Sequence, residues 1–264
     1  MFVKKYAIVE HGEVMPGHRL LCLDAPGPAS ASSPGQFLHV RCSDALDPLL
    51  RRPFSIHYAD REKGRVYILY KIAGRGTALM AEKRPGDFLD VMGPLGKGYT
   101  LPGRGERVAV VGGGMGAAPL FFLLREIRNL YGDETGKVSV FLGAATGELV
   151  PGRGMVEAMG FSLEKATDDG SDGFKGSVVD LFAIAQEKEI FDRVYACGPA
   201  AMLKKLSSVV RPETRAEVSL EERMGCGVGA CLSCACEVKK ASGKTVNAHI
   251  CTDGPVFDIK ELCW

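Results

Sequence analysis

The sequence lacks several things, and each lack removes a class of function. It has no excess of one charge: 33 Lys and Arg stand against 32 Asp and Glu, a formal net charge of +1. Such a chain projects no strong field toward nucleic acid or an anionic membrane. It has no long hydrophobic run. Stretches such as Ala117-Ala-Pro-Leu-Phe-Phe-Leu-Leu fall far short of the ~20 apolar residues that a membrane-spanning helix needs. The start, Met1-Phe-Val-Lys-Lys-Tyr, has no apolar stretch after its lysines and so does not read as a secretory leader. There is no internal repeat and no low-complexity segment. The expectation is a soluble, cytoplasmic chain with no nucleic-acid or membrane partner. What is present is ordinary in bulk: 264 residues, 46% hydrophobic and 25% charged, enough for two or more domains with real cores. Nine cysteines without a leader suggest a reducing compartment, with the thiols as ligands or buried groups.

Four of those cysteines form a pattern. Cys226, Cys231 and Cys234 read C-x4-C-x2-C, and Cys251 follows after a gap of 16 residues. This is the spacing of plant-type ferredoxin ligands, four thiolates around a [2Fe-2S] cluster. Gly225, Gly227 and Gly229 allow a short loop to wrap a cluster and aim amide N–H groups at sulfur. Zinc, disulfides and buried free thiols compete with this reading. Zinc sites usually come as two C-x2-C pairs, the chain looks neither small nor secreted, and free thiols explain one or two cysteines rather than four. Cys236 is left over.

The first hundred residues carry short apolar runs bounded by Gly, Pro, Asp or Ser: Tyr6–Val9, His18–Leu23, Gln36–Cys42, Arg65–Ile72 and Asp87–Met92. Strands at this spacing predict a small antiparallel β-barrel or sandwich, with one short helix over Thr77–Lys83. Within it, Arg51-Arg-Pro-Phe-Ser-Ile places a cation, an aromatic ring and a hydroxyl on one extended run. Alternation puts Arg52 and Phe54 on one face and turns Ser55 to the other unless the strand bends. Gly74-Arg-Gly-Thr then opens the helix, and such a start offers N–H groups to a phosphate; an edge-strand charge pair and a plain helix cap explain the same residues.

A turn-rich linker, Leu101-Pro-Gly-Arg-Gly, marks a boundary. Beyond it strands and helices alternate: Arg107–Val111, Leu120–Leu130, Val138–Gly143, Phe161–Ala166, Ser177–Glu187, Arg193–Cys197 and Pro199–Val210. This predicts a doubly wound parallel α/β sheet. Gly112, Gly114 and Ala117 satisfy G-x-G-x-x-G/A between strand and helix, the context in which that fingerprint binds a dinucleotide; a tight turn with no ligand is the plainer alternative. No acid ends Val138–Leu142 to grip a ribose hydroxyl, and Glu148 comes several residues late. Cys197-Gly-Pro-x-x-Met202 places a thiol at the carboxyl edge of the sheet. The last stretch predicts a strand at Ala216–Leu220, the cysteine loop, and a hairpin about Ala241-Ser-Gly-Lys. A lobe this small needs the cluster to hold it together.

Arg52-Pro-Phe-Ser55 followed by Gly74-x-Gly76-Thr77 resembles the flavin signature of the ferredoxin–NADP reductase superfamily, and Gly112-Gly-Gly-x-Gly-x-Ala-Pro with Cys197-Gly-Pro-x-x-Met occurs there too. The resemblance implies an FAD held at Arg52, Pro53, Phe54, Ser55, Tyr70, Lys71, Ile72, Gly76 and Thr77, with Arg52 on pyrophosphate, Phe54 on the isoalloxazine and Ser55 near flavin N5. It implies NAD at Gly112, Gly114, Gly116, Cys197, Gly198 and Pro199. Ser55 and Cys197 are the residues placed nearest the reacting carbon and N5. The superfamily usually has Tyr where Phe54 stands. The whole chain, through Cys251-Thr-Asp-Gly-Pro-Val-Phe, is similar to the electron-transfer subunit of the two-component, NAD-dependent dihydroorotate dehydrogenase. That family implies three parts, a flavin barrel at 1–101, an NAD domain at 102–213 and a [2Fe-2S] lobe at 214–264. It also implies an FMN-containing catalytic partner in a two-plus-two heterotetramer. Electrons would run from FMN through the cluster to FAD and NAD+. The nearest alternative is an NAD(P)H:ferredoxin or sulfide-type reductase subunit with another partner.

Overall fold

A computed structural model describes residues 1–264. The first unit comprises β1 (Phe2–Met15), β2 (His18–Asp24), α1 (Pro26–Ala31), β3 (Phe37–Arg41), β4 (Arg52–Ser55), β5 (Tyr58–Asp60), β6 (Arg65–Lys71), α2 (Arg75–Glu82) and β7 (Phe88–Leu95). Its seven strands run in the order β4-β3-β7-β1-β2-β6-β5, and every pairing is antiparallel. The strands alternate apolar and polar residues, so one face turns inward. Ile8, Leu21, Leu23, Leu38, Val40, Ile56, Val66 and Ile68 fill the core, each contributing about 1.5–3 kcal/mol by burial. The sheet curls on itself: Phe54 of β4 meets Tyr70 of β6 edge-on, ring centroids 5.8 Å apart.

The second unit begins with β8 (Val108–Gly113), followed by α3 (Leu120–Tyr131), β9 (Val138–Ala144), α4 (Arg153–Ala158), β10 (Ser162–Thr167), β11 (Phe174–Lys175), α5 (Val178–Lys188), β12 (Arg193–Cys197), α6 (Ala200–Val209) and β13 (Arg215–Ser219). All six residues of β8 are buried, as expected of a central parallel strand covered on both faces. Helix α3 buries Leu120–Leu124, Ile127 and Tyr131 and stops at Gly132, whose φ of 58° a side chain would resist. Helix α5 starts on Ser177, whose hydroxyl accepts from the Asp180 amide at 3.3 Å.

The chain ends with β14 (Ala235–Lys239), β15 (Thr245–His249) and β16 (Val256–Asp258). Strands β14 and β15 form the hairpin that the turn residues predict. The sheet of the second unit runs β11-β10-β9-β8-β12-β13-β16. Strand β13 pairs in parallel with β12, and β16 returns antiparallel to β13. The stretch 214–264 is therefore stitched into the α/β sheet at both ends, and what stands out as a lobe lies between Ser219 and Val256. The small cores explain the arrangement: Cys234, Val238, Ala248, Ile250, Cys251 and Phe257 join the cluster that contains Phe141, Phe182 and Val218.

The units are bolted together by the linker. Tyr99 Oη donates to the Ala196 carbonyl at 3.0 Å and Tyr195 Oη to that of Thr100 at 2.6 Å. The Lys97 amide donates to Gly254 at 2.5 Å. His57, buried in the barrel wall, donates from Nδ1 to the Ala118 carbonyl at 2.8 Å. No helix is long and apolar enough to cross a membrane.

Candidate functional site

A cleft of about 900 Å³ lies where the two units and the cysteine-loop approach meet. One wall is β4: Arg52, Pro53, Phe54 and Ser55 all line it. Ser55 pairs with Phe37 and Phe54 with Leu38, so the alternation holds, and residues of both faces reach the cleft because β4 is the edge strand of its sheet. Strand β4 ends at Ser55. The next two amides then leave for other partners, Ile56 to Gln36 at 3.0 Å and His57 to Tyr67 at 2.9 Å. Tyr70 and Lys71 of β6 form a second wall, Met115 and Ala118 of the glycine loop a third, and the run Ser219–Met224 a fourth. Phe54 is nearly buried and packs on Tyr70, and the Tyr70 hydroxyl meets His11 Nε2 at 2.9 Å. Burial pushes the Tyr70 phenol up to about 12, so it is neutral and hydrogen-bonding at ordinary pH.

Other expected residues stand back from the cleft lining. Gly76 is packed behind Arg52: a Cβ there would lie 3.5 Å from Arg52 Cγ and 3.3 Å from Cys42 Sγ. The Thr77 hydroxyl is engaged by its own helix start, accepting from the Ala73 and Gly74 amides at 2.9 and 3.0 Å and donating to the Gly74 carbonyl at 2.9 Å. Ile72 is exposed beyond β6. Arg52 forms no ion pair with a carboxylate; its Nη1 donates to the Leu50 carbonyl at 2.8 Å, leaving its charge for a ligand in the cleft.

The glycine loop sits at the topological switch point. Strand order reverses between β8 and β12, and in such sheets the crevice at the strands' carboxyl ends binds nucleotides. Gly114–Ala117 forms a short 3-10 turn before α3. Gly112 and Gly116 have no room for a side chain. A Cβ on Gly112 would stand 2.8 Å from that of Ala117, and one on Gly116 would stand 2.4 Å from Gly198 Cα. Gly114 has open space but a φ of 54°. Gly198 and Pro199 line a smaller cavity of about 130 Å³ that shares Leu220, Glu221 and Glu222 with the large cleft. Cys197 lines neither cavity; it is fully buried, and that burial pushes its thiol well above the usual range. It has no means to trade protons with a substrate there.

Cys226, Cys231 and Cys234 lie on the loop after Met224 and Cys251 just past β15, and none is in a disulfide. Amides point at their sulfurs: Val228 and Cys231 donate to Cys226 Sγ, each at 3.4 Å, Cys226 to Cys231 Sγ at 3.4 Å, and Gly229 to Cys251 Sγ at 3.2 Å. The Ser233 hydroxyl, 3.1 Å from Cys231 Sγ, is the main reason that thiol is lowered to about 6. Burial pushes Cys251 up to about 11. Gly227 and Gly229, with φ of 74° and 79°, let the backbone turn its amides inward, which a side chain would hinder. Soft thiolates ringed by N–H donors fit an iron–sulfur cluster. Cys236 lies on β14 outside this set.

Other parts of the cleft carry no local signal in the sequence, among them Phe37 of β3, Met115, and the Ser219–Met224 run, which looks in sequence like a mere approach to the cysteines. Tertiary packing alone brings them to β4.

Comparison with known proteins agrees with this geometry. Residues 5–99 match the family model described as oxidoreductase FAD-binding domain. Residues 221–263 match the iron-sulfur cluster binding domain of dihydroorotate dehydrogenase B. Among solved structures, the NADH-dependent reduced ferredoxin-NADP oxidoreductase superposes with a TM-score of 0.84 at 28% identity, covering 98% of this chain and 90% of that one. An Amycolatopsis cytochrome P450 reductase shares the fold at TM-score 0.66 and 21% identity, over 80% of this chain and 68% of the other. Among curated relatives, the dihydroorotate dehydrogenase B (NAD(+)), electron transfer subunit, of Desulforamulus reducens is 44% identical over 95% of this chain and 94% of its own length. The subunit of the same name from Shouchella clausii is 43% identical over 98% of this chain and 97% of its own. Identity at that level along nearly the full length of both partners places this chain in the family of dihydroorotate dehydrogenase B electron-transfer subunits.

Proposed function

We propose that this chain carries electrons from an FMN-containing, dihydroorotate-oxidising partner through a [2Fe-2S] cluster and FAD to NAD+, in the service of pyrimidine synthesis. The observation that supports it best is one continuous run of chain. Ser219–Met224 lines the flavin-sized cleft and leads within two residues to Cys226. A cleft and a thiolate loop that share a wall are close enough for electrons to pass between their occupants without any substrate being exchanged.

FAD, when bound, supplies the interchange between hydride and single-electron traffic. This chain's residues bind and orient. In this reading Arg52 neutralises pyrophosphate, β4 and Tyr70 form the bed for the ring system, and Ser55 offers a hydroxyl with no protein partner to the flavin edge. Lys71 lines the outer part of the cleft, while Ile72, Gly76 and Thr77 shape the turn that carries α2. Gly112, Gly114 and Gly116 admit the nicotinamide dinucleotide at the switch point, with Gly198 and Pro199 opposite. Cys197 fixes the floor by burial and moves no proton, since hydride transfer asks only for alignment of the donor carbon and N5. Cys226, Cys231, Cys234 and Cys251 hold the cluster. We assign 1–101 to FAD, 102–213 to NAD and 214–264 to the cluster, with β13 and β16 of the last part built into the NAD sheet.

The partner would dock over the cluster loop, where Val228 and Leu232 are exposed apolar residues beside exposed Cys231. A two-plus-two assembly is the stoichiometry proposed. The test is anaerobic co-expression with the FMN subunit. The complex should reduce NAD+ with dihydroorotate, while this chain alone should oxidise NADH with artificial acceptors and leave dihydroorotate untouched. An isolated chain with neither flavin peaks nor a broad visible iron–sulfur band would overturn the reading. A chain that passes electrons to ferredoxin and never to the FMN subunit would replace the partner.

A further inference from the structure

His39 is buried to 1% exposure, and neither of its ring nitrogens has a hydrogen-bond partner. It shares this condition with only one other side-chain atom, Arg19 Nε. A buried donor without a partner bears the full desolvation penalty of that group, so it calls for an explanation.

The position of the ring supplies one. His39 lies on β3, paired with Pro53 of β4, and Pro53 lines the cleft. Proline has no N–H to give, so the His39 carbonyl takes Arg51 Nη1 instead, at 3.4 Å. Arg51 also grips Asp90 through its carbonyl at 2.9 Å and its Oδ1 at 2.8 Å. The backbone of residue 39 is thereby locked between two strands. On the other side the imidazole presses against the cysteine loop: a Cβ added to Gly227 would stand 2.7 Å from Nδ1 and 3.3 Å from Cε1. The backbones of Cys226 and Arg51 face the ring. One side chain thus fills the space between the strand pair that walls the cleft and the residue next to the first patterned cysteine.

From this we infer that His39 is a positioning residue for the cluster: its ring N–H donates to the backbone carbonyl of Cys226 in the loaded protein and fixes the spacing between the cluster and β4. The inference rests on the assignment of Cys226 as a ligand. The Cys226 backbone already lies beside the ring, short of full hydrogen-bond geometry. Gly227 is then required twice, for its positive φ and for the ring lying against its Cα. Electron transfer falls steeply with distance, so a residue that sets this spacing controls the step between cluster and FAD and leaves the hydride step alone.

The experiment compares anaerobically purified full-length protein with His39→Leu, which keeps most of the volume and no donor, and His39→Asn, which places an amide N–H near the position of Nδ1. NADH delivers a hydride, two electrons, to the flavin, and one of these passes on to the cluster. Stopped-flow absorption separates the two events. Expected in His39→Leu is flavin reduction by NADH within twofold of wild type, cluster reduction slowed at least tenfold, and altered g-values in the EPR spectrum of the dithionite-reduced cluster. His39→Asn should recover the wild-type spectrum and most of the rate. Wild-type rates and spectrum in His39→Leu would overturn the inference. So would an Asn variant no better than Leu, which would make the ring a spacer only. A wild-type protein free of iron and sulfide would instead overturn the ligand assignment beneath it.

Discussion

Gly116 and Gly198 touch backbone to backbone: a Cβ on Gly116 would stand 2.4 Å from the Cα and 2.6 Å from the amide nitrogen of Gly198. The two loops at the switch point of the sheet are therefore one surface, and neither can move without the other. Gly116→Ala has to push the Cys197–Pro199 turn away, and overpacking of this kind costs about 1–3 kcal/mol. The expected outcome is a lower thermal midpoint and a several-fold rise in the KM for NADH, with FAD content unchanged, since the barrel wall of the cleft is not involved. Gly114 is the control. It faces open space, and Ala there meets only the penalty of a left-handed backbone, about 1 kcal/mol. Steady-state kinetics and a thermal melt on both variants check the contrast.

His57 ties the barrel to the glycine loop through its hydrogen bond to the Ala118 carbonyl, and its ring meets Phe121 edge-on at 5.1 Å. Burial lowers its pKa to about 4. The folded protein thus holds the ring neutral where the unfolded chain, near 6.5, takes up a proton. The unfolded state binds more protons between these values, so the stabilisation is complete above pH 6.5 and is lost as pH falls toward 4. Its size is of order 3 kcal/mol, from a shift of roughly 2.5 units at 1.36 kcal/mol each. Denaturant melts at pH 7.5 and pH 5 should show a marked loss of stability in the wild type. His57→Gln, which keeps a donor for Ala118 and cannot titrate, should reduce that pH dependence, leaving the part due to His39, which burial also lowers to about 4. An identical slope in the variant would assign the acid sensitivity to other groups.

What could be read from the sequence was whatever chemistry is local. The C-x4-C-x2-C loop, the Arg52–Ser55 run and the strand–glycine–helix order each sit within a dozen residues, so backbone periodicity and ligand spacing describe them. Alternation places Ser55 and Phe54 on opposite faces of β4, yet both border the cleft, because β4 is the edge strand of its sheet. Helix α1, Pro26-Gly-Pro-Ala-Ser-Ala, looks like a turn by composition and becomes a helix by packing on the barrel. The Thr77 hydroxyl caps its own helix, so any phosphate there would meet the N–H groups of the helix start rather than the hydroxyl. The fourth wall of the cleft, Ser219–Met224, and the buried ring of His39 depend on strands far apart in sequence. No local pattern signals either one.

Cys236 and Cys226 are ten positions apart on the same lobe and should behave oppositely. Cys226 Sγ receives two amide donors from the loop, whereas Cys236 is a half-buried strand residue whose thiol burial pushes up to about 11. No loop amide is aimed at the Cys236 sulfur, which lies on β14 away from the ring of donors around Cys226, Cys231 and Cys251. Cys236→Ala is expected to retain full iron and sulfide content and the visible band. Cys226→Ala is expected to lose most of both and the flow of electrons from dihydroorotate to NAD+, while keeping FAD and NADH oxidation with artificial acceptors. Iron and acid-labile sulfide assays beside an anaerobic spectrum decide it; a full cluster in Cys226→Ala would remove that residue from the ligand set.

Ser55 is the polar group best placed to act on the flavin without holding the fold together. Its hydroxyl lines the cleft and has no hydrogen-bond partner within the protein, while its backbone is secured by pairing with Phe37. Removing a hydroxyl that bonds a reacting group raises a barrier by about the value of one hydrogen bond, 0.5–1.5 kcal/mol, or up to roughly tenfold in rate. In Ser55→Ala the rate of flavin reduction by NADH should therefore fall several-fold, with FAD occupancy and thermal midpoint close to wild type. Arg52→Ala should show the reverse order of effects. The cleft loses one of its unpaired cations, FAD content on purification drops, and the protein that retains flavin reacts at near the normal rate. Flavin-to-protein ratios and single-turnover reduction of both variants separate a residue that binds the cofactor from one that tunes its reaction. If Ser55→Ala lost flavin and kept the rate, the two roles would have to be exchanged.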